Sequence, residues 1–398
     1  MGNLLQNILF RITHGNRVHV PVSHRNDGYT LSTPADNLAC GDLSLDGFLR
    51  ACDKAGEGYL DDPVSHQYNH GCDYAHRGNR SLVEKMRHWN YRIQWHLRPL
   101  LEWANDYPLA VDIETANACN LRCTMCHQST GWLKEDQKVL LDFATLERVV
   151  TEAVEIGVHS MKVNWRGEPL LHPEIVRIVK FIKDHGIPEV MMNTNGILMT
   201  RQIADGLINA GLDRIIFSCD GISKRTYEKI RRGAKWDQFL ENVKMFRGRC
   251  LFHKSMGAER VPKIRINCAI QEKNRGEIGK FRKFWKGIAD EVRFNTVYRP
   301  LGNSNMEGRK KKRHGCPQVY QRLVVDARGN VMPCCADYRE ELNLGNIREN
   351  SLTWLWNVSA NKIRKMHERH MGRILNGCRY CDLFALSEID TNDKVIWR

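Results

Sequence analysis

The chain has 398 residues and a mass of 46.1 kDa, with 42% hydrophobic residues and ten Trp, which bounds it to about two or three globular domains and excludes disorder as its main state. Its mean hydropathy is −0.49 and no uncharged apolar run reaches about 18 residues, so no membrane span is expected; the first residues also lack the basic region and cleavage site of an export signal, and Gln6 stands where a myristoylation signal needs Ser or Thr. The net charge of +14 is unevenly placed: residues 1–105 carry 11 basic and 11 acidic side chains, leaving 49 against 35 beyond them, a surface that suits nucleic acid, phosphorylated substrates or an acidic electron-transfer protein.

Residues 1–80 are rich in Gly, Asn, Asp and His and read as irregular, with His14, His19, His24, His66, His70 and His76 scattered over the surface. Ser81, with Glu84 three residues on, forms a capping-box pattern ahead of apolar residues at helical spacing (Leu82, Met86, Trp89, Ile93), which predicts a long helix closing an N-terminal region over 1–105. From about residue 107 short β-like runs alternate with amphipathic helices. The strands are expected at 109–115, 160–165, 190–195, 214–220, 263–270 and 291–298. Between them lie LERVVTEAVEIG, PEIVRIVKFIKDHG and RQIADGLINAG, the last two closed by Gly just past the helix end. Six successive βα units force a parallel sheet with right-handed crossovers, over residues 106–300, and its chemistry belongs beyond the C-terminal ends of the strands. After about residue 300 the rhythm stops. The basic run Arg309–Arg313 precedes a Cys-bearing module, residues 301–398, that opens with a hairpin pattern, RLVVDARGNVMPCC, turned by Arg-Gly-Asn.

Fourteen Cys without a secretion signal argue for reduced thiols in metal or redox work and for a cytoplasmic setting. Cys119-x3-Cys123-x2-Cys126 follows the first strand directly. Three thiolates fit a cubane cluster whose fourth iron is open to a small molecule, whereas zinc wants a fourth ligand that His127, adjacent to Cys126, offers only in poor geometry. At these residues the sequence resembles the radical S-adenosylmethionine (SAM) superfamily, whose signature is this CxxxCxxC spacing; Met125 stands where members often have an aromatic residue. The resemblance implies a TIM-like partial (β/α)6 barrel, a catalytic [4Fe-4S] cluster on Cys119, Cys123 and Cys126, and SAM at the open iron. It carries the strand-two SAM motif onto Gly167 and Glu168 of Arg166-Gly167-Glu168-Pro169, where Arg replaces the family's first Gly. It also places Asn193, Asn195, Ser218 and Asp220, at the ends of strands three and four, in the SAM pocket, with Arg231, Arg232 and Arg265 as candidate partners of the SAM carboxylate. As bare sequence, each of these residues also fits ordinary turn chemistry or a solvated face.

Cys316, Cys334, Cys378 and Cys381, with Cys335 adjacent, form a second set whose spacing alone serves either a cluster or a zinc ion. Their flanking text resembles the SPASM/twitch extension of radical SAM enzymes. That implies one auxiliary [4Fe-4S] cluster on Cys316, Cys334, Cys378 and Cys381, with Cys335 spare. Cys40, Cys52, Cys72, Cys250 and Cys268 follow no ligand spacing and read as core thiols. The expected activity is that of a radical SAM oxidoreductase: cleavage of SAM to a 5′-deoxyadenosyl radical, hydrogen abstraction, and dehydrogenation of a small polyhydroxylated or phosphorylated substrate. A peptide maturase is the alternative within the family; a zinc-stabilised nucleic-acid-binding protein is the alternative outside it. An acidic flavodoxin or ferredoxin is the expected electron donor, and neither membrane nor nucleic acid is an expected partner.

Overall fold

Ser81 caps the first helix as its sequence requires, its hydroxyl accepting from Glu84 N at 3.2 Å while Glu84 Oε2 accepts from Ser81 N at 2.9 Å. This helix, α1 (Leu82–Leu100), belongs to a computed structural model that describes residues 81–130, 138–296, 316–379 and 381, all within one compact unit spanning Ala75–Arg398. The N-terminal histidines, Cys40, Cys52 and Cys72, and the run Arg309–Arg313 lie outside the described residues.

Six parallel strands follow in order: β1 (Ala110–Ile113), β2 (Ser160–Lys162), β3 (Glu189–Thr194), β4 (Arg214–Ser218), β5 (Lys263–Ile270) and β6 (Glu291–Thr296). The helices between them are α2 (Phe143–Glu155), α3 (Ile175–Asp184), α4 (Arg201–Asn209), the short α5 (Lys224–Ile230), α6 (Trp236–Ser255) and α7 (Ile278–Trp285). Every expected strand and helix is present. Gly186 and Gly211 close α3 and α4 with φ of +93° and +81°.

The expected hairpin is β7 (Arg322–Val325) and β8 (Asn330–Met332), antiparallel, followed by β9 (Gly345–Asn346) and α8 (Ala360–Glu368). It does more than follow the barrel. β7 pairs in parallel with β1, Asp112 opposite Val324, so one nine-stranded sheet runs β6-β5-β4-β3-β2-β1-β7-β8-β9. The C-terminal cysteines are thereby built onto the open edge of the partial barrel.

Alternation divides the strands into two faces. Val111, Met161, Val190, Met192, Ile215, Phe217, Ile264 and Ile266 join Val149, Ile178, Leu207, Phe246 and Phe281 of the helices in one buried core. The opposite face lines the lumen and is polar. At its floor, Asp112 binds Arg322 at 2.8 Å and Lys162 at 2.9 Å, and Glu291 binds Arg265 at 2.6 Å and Arg214 at 3.0 Å. Helix α1 packs against this floor, with Gln321 Nε2 donating to Trp95 O at 2.8 Å and Arg322 lying 5.0 Å from the Trp95 ring. The buried face of α1 therefore holds His88, Trp89, Tyr91, Arg92, Gln94, Trp95 and Arg98, while Leu82 and Met86, expected on the apolar stripe, are exposed. A helix facing a charged floor is selected for aromatic and hydrogen-bonding groups, which an apolar periodicity does not register.

Candidate active site

The loop after β1 carries Cys119, Cys123 and Cys126, and backbone hydrogen bonds fix its path. Arg122 N and Thr124 N donate to Arg232 O and Ile230 O at the end of α5, each at 2.9 Å, and Cys126 N donates to Cys123 O at 3.0 Å. From the β2 side Glu168 N donates to Ala118 O at 2.8 Å. Gly167 makes that approach feasible, since a Cβ there would stand 2.0 Å from Ala116 O and 2.5 Å from Ala118 O. The strand-two motif is thus a backbone cradle for the cysteine loop.

The three thiols lie close enough to disfavour one another's ionisation, and burial pushes Cys119 up to about 12 and raises Cys123 and Cys126. N–H groups point at two of the sulfurs: Arg231 Nη1 is 3.9 Å from Cys123 Sγ, and Leu121 N and Asn195 Nδ2 are 3.4 and 3.8 Å from Cys119 Sγ. Such donors favour thiolates, so this chemistry fits a three-thiolate cluster, whose binding releases protons.

The expected SAM residues gather at this mouth, several of them already engaged. Glu168 is fully buried, and its carboxylate accepts from Thr194 Oγ1 (2.6 Å), Asn195 N (2.7 Å) and Leu170 N (3.1 Å). Burial raises its pKa while these donors pull it down. Asp220 accepts from Ala269 N at 2.7 Å and forms an ion pair with Arg231 at 2.8 Å, locking the end of β4 to β5 and holding Arg231 beside Cys123. Asn195 also donates to Asn120 Oδ1 at 2.8 Å, and Asn193 N donates to Asn164 Oδ1 at 2.8 Å. Ser218 ends β4 on the lumenal face. Of the carboxylate partners suggested by sequence, Arg232 is exposed, and Arg265 is buried at the lumen floor against Glu291, near the start of β5 and away from the mouth.

The second set clusters at the other end of the sheet edge. Cys316, Cys334, Cys378 and Cys381 are all buried. Cys316, Cys334 and Cys378 each feel the charge of Cys381, and burial pushes Cys316 up to about 12. Cys335 stays beside the set: its hydrogen bond with Cys334 lowers its pKa and raises that of Cys334, and it also feels Arg322, Lys162 and Asp112. Sequence reading missed His367, whose Nε2 lies 3.6 Å from Cys378 Sγ and whose pKa burial lowers to about 4. Among the described residues no three His, Cys, Asp or Glu side chains are gathered tightly enough to hold a single metal ion. Cys219, Cys250 and Cys268 are buried in the apolar core.

The two thiol sets are joined by residues no motif announced. His127, next to Cys126, stacks on Tyr338 with ring centroids 4.6 Å apart. Trp165 Nε1 donates to Cys335 O at 2.7 Å. Arg166 lies over the Trp165 ring at 3.9 Å and binds Glu114 at 2.7 and 2.8 Å, Tyr338 O at 3.1 Å and Glu340 at 2.6 Å. The Arg that departs from the family motif is therefore the bolt between barrel and C-terminal module.

The description Radical SAM superfamily matches residues 113–253, and an iron–sulfur cluster-binding domain, SPASM, matches residues 316–382, which covers the second thiol set and leaves the zinc reading without support. Among curated proteins, a GTP 3′,8-cyclase of Limosilactobacillus fermentum is 31% identical over 212 residues, 53% of this chain and 59% of the relative. The GTP 3′,8-cyclase of Chlorobaculum tepidum is 37% identical over 132 residues, 32% of this chain and 38% of the relative. The chain thus spans less than two thirds of the length of either. Among solved structures, Streptococcus suis SuiB bound to S-adenosylmethionine shares the fold at 15% identity and a TM-score of 0.55, over 72% of this chain and 76% of that one. SuiB bound to its precursor peptide SuiA aligns at 15% identity with a TM-score of 0.52, over 78% of each chain.

Proposed function

The chain belongs to the radical SAM superfamily and carries a C-terminal SPASM domain, so its cofactors are a catalytic [4Fe-4S] cluster, SAM and an auxiliary cluster; on that premise we propose that it abstracts a hydrogen atom from a small polyhydroxylated substrate and dehydrogenates it. Cys119, Cys123 and Cys126 would hold the first cluster, and Cys316, Cys334, Cys378 and Cys381 the second. When bound, the first cluster and SAM supply a 5′-deoxyadenosyl radical, and the second cluster an acceptor for one electron. The chain's own part is positioning. Gly167 and Glu168 seat the cysteine loop, Arg231 and Asn195 donate toward the sulfurs, and α1 closes the lumen floor against water.

The observation that carries the reading is the bridge of His127, Trp165 and Arg166 to Tyr338, Cys335 O and Glu340, which ties the loop of one thiol set to that of the other. Such a tie is useful when an electron must pass from a substrate radical to a second centre. The name of the curated relatives favours a second reading, a radical rearrangement of a nucleoside triphosphate, which needs no net oxidant.

Iron analysis and product analysis on anaerobically purified protein test the proposal. About eight irons per chain are expected, falling to about four with loss of 5′-deoxyadenosine formation when Cys119, Cys123 and Cys126 are replaced by Ala. A product two mass units lighter than its substrate supports dehydrogenation; a product of unchanged mass formed from GTP supports the second reading.

A further inference from the structure

We propose that the β5–β6 wall of the lumen mouth is a recognition site for an uncharged, hydroxyl-rich ligand, formed by Asn267, Asn295 and Gln271 with Asn193 two strands from Asn267 on the same face. This deepens the proposed reaction by naming its substrate class, and it rests on that reading. The buried Oδ1 atoms of Asn193, Asn267 and Asn295, and the buried Nε2 of Gln271, have no hydrogen-bond partner among the described residues. A buried polar group left unpaired is destabilising, so four near the same end of neighbouring strands call for a ligand that supplies the missing partners.

Strand register brings them together. Asn193 lies opposite Ile216, Ser218 opposite Asn267, and Ala269 opposite Asn295. A (β/α)8-type barrel staggers its strands by about one residue each. With that stagger Asn193 and Asn267 stand at one height and Asn295 about one residue above. Alternation puts all three on the lumenal face, because Met192, Ile266 and Cys268 on the other face belong to the core under the helices. The floor charges, Glu291 with Arg265 and Arg214, lie toward the opposite end of the same strands. Apart from Asn193, which borders both, the proposed SAM set uses the loops after β1 to β4, so Asn267 and Asn295 are on strands it leaves unused and Gln271 directly follows one of them.

The chemistry of the wall selects its ligand. A carboxamide is neutral and offers both an acceptor and a donor, and a hydroxyl complements either. The charged groups of the lumen lie elsewhere and are engaged with one another: Arg166 with Glu114, Lys162 and Arg322 sharing Asp112, Arg231 with Asp220, and Arg214, Arg265 and Arg293 sharing Glu291. The wall's own groups are neutral amides, so it favours an uncharged ligand over a phosphorylated one, GTP included.

Binding of myo-inositol, glucose, glucose 6-phosphate and GTP to the holoenzyme with SAM, measured anaerobically, tests this. Binding of a neutral polyol and of neither phosphate is expected, with Asn267→Leu and Asn295→Leu each weakening it at least tenfold. Because Leu of similar shape replaces an unpaired amide, both variants should retain their iron and melt at or above the wild-type temperature. A lowered melting temperature in both would mark the amides as structural and overturn the site, as would unchanged polyol affinity, no binding by any of the four compounds, or binding of GTP or glucose 6-phosphate alone. Polyol binding without 5′-deoxyadenosine formation would instead sink the proposed reaction and leave the site standing.

Discussion

Gly167 shows how much one missing side chain decides. It is where two backbones touch, and a methyl group 2.0 Å from Ala116 O forces the cysteine loop away from β2. Gly167→Ala should cost more than about 2 kcal/mol of stability, the scale of overpacking, and lower the iron content toward four per chain; full iron in that variant would show that the cradle is dispensable. Glu291 makes the same point for charge. Although burial opposes its ionisation, Arg265, Arg214 and Arg293 hold its carboxyl down to about 2. A depressed pKa means that the stabilisation is complete above the unfolded value of about 4.5 and is lost as pH falls toward 2. Glu291→Gln should therefore be less stable than wild type by on the order of 3 kcal/mol at pH 7, with the gap narrowing between pH 4.5 and pH 2 in denaturant titrations. A gap constant across that range would remove Glu291 from the floor's electrostatics.

At the scale of elements, the Trp165-Arg166 pair turns the end of β2 into a joint. Its guanidinium is shared by Glu114 after β1, by Asp326 at the β7–β8 turn 3.8 Å away, and by Glu340 of the C-terminal module. Removing it leaves several buried carboxylates with no cation between them, at a cost of about 3–5 kcal/mol. Arg166→Ala should speed amide hydrogen exchange over residues 334–345 while leaving α3 and α6 protected, and Arg166→Lys should rescue only part, because one ammonium cannot reproduce the bidentate contact with Glu114. Uniform exchange changes would mean global loosening and no joint. The strands were legible from apolar runs and the helices from their caps because both signals are local. The Cys119–Cys126 spacing stood out because it is local too, whereas the set spread from Cys316 to Cys381 was read only through its resemblance to a known extension. Arg166, read as a departure from a motif, and the lumenal amides were not legible, since their meaning comes from partners 52 to 174 residues away or on neighbouring strands, and His367, eleven residues before Cys378, follows no ligand spacing. The apolar stripe of α1 misled for the same reason: what it packs against is a charged floor contributed by six strands.

The whole molecule carries its excess charge beyond residue 105, and an electron must reach the first thiol set from outside. We expect an acidic flavodoxin or ferredoxin to be drawn by that surface, because opposite net charges steer encounter before any contact forms. Steering of this kind depends on salt, since the screening length shrinks from about 30 Å at 0.01 M to about 8 Å at 0.15 M. Reduction by flavodoxin should slow severalfold over that range, whereas reduction by dithionite, a small anion in large excess, should change much less. Comparing the two reductants on the same protein separates steering from any effect of salt on the fold. If Arg309, Lys310, Lys311, Lys312 and Arg313 form the dock, replacing all five with Ser should lower the flavodoxin rate at 0.01 M and flatten its salt dependence. Stopped-flow bleaching of the iron–sulfur absorbance measures both. A flavodoxin rate indifferent to salt would end the steering argument and return the basic surface to an acidic substrate or nucleic acid as its reason.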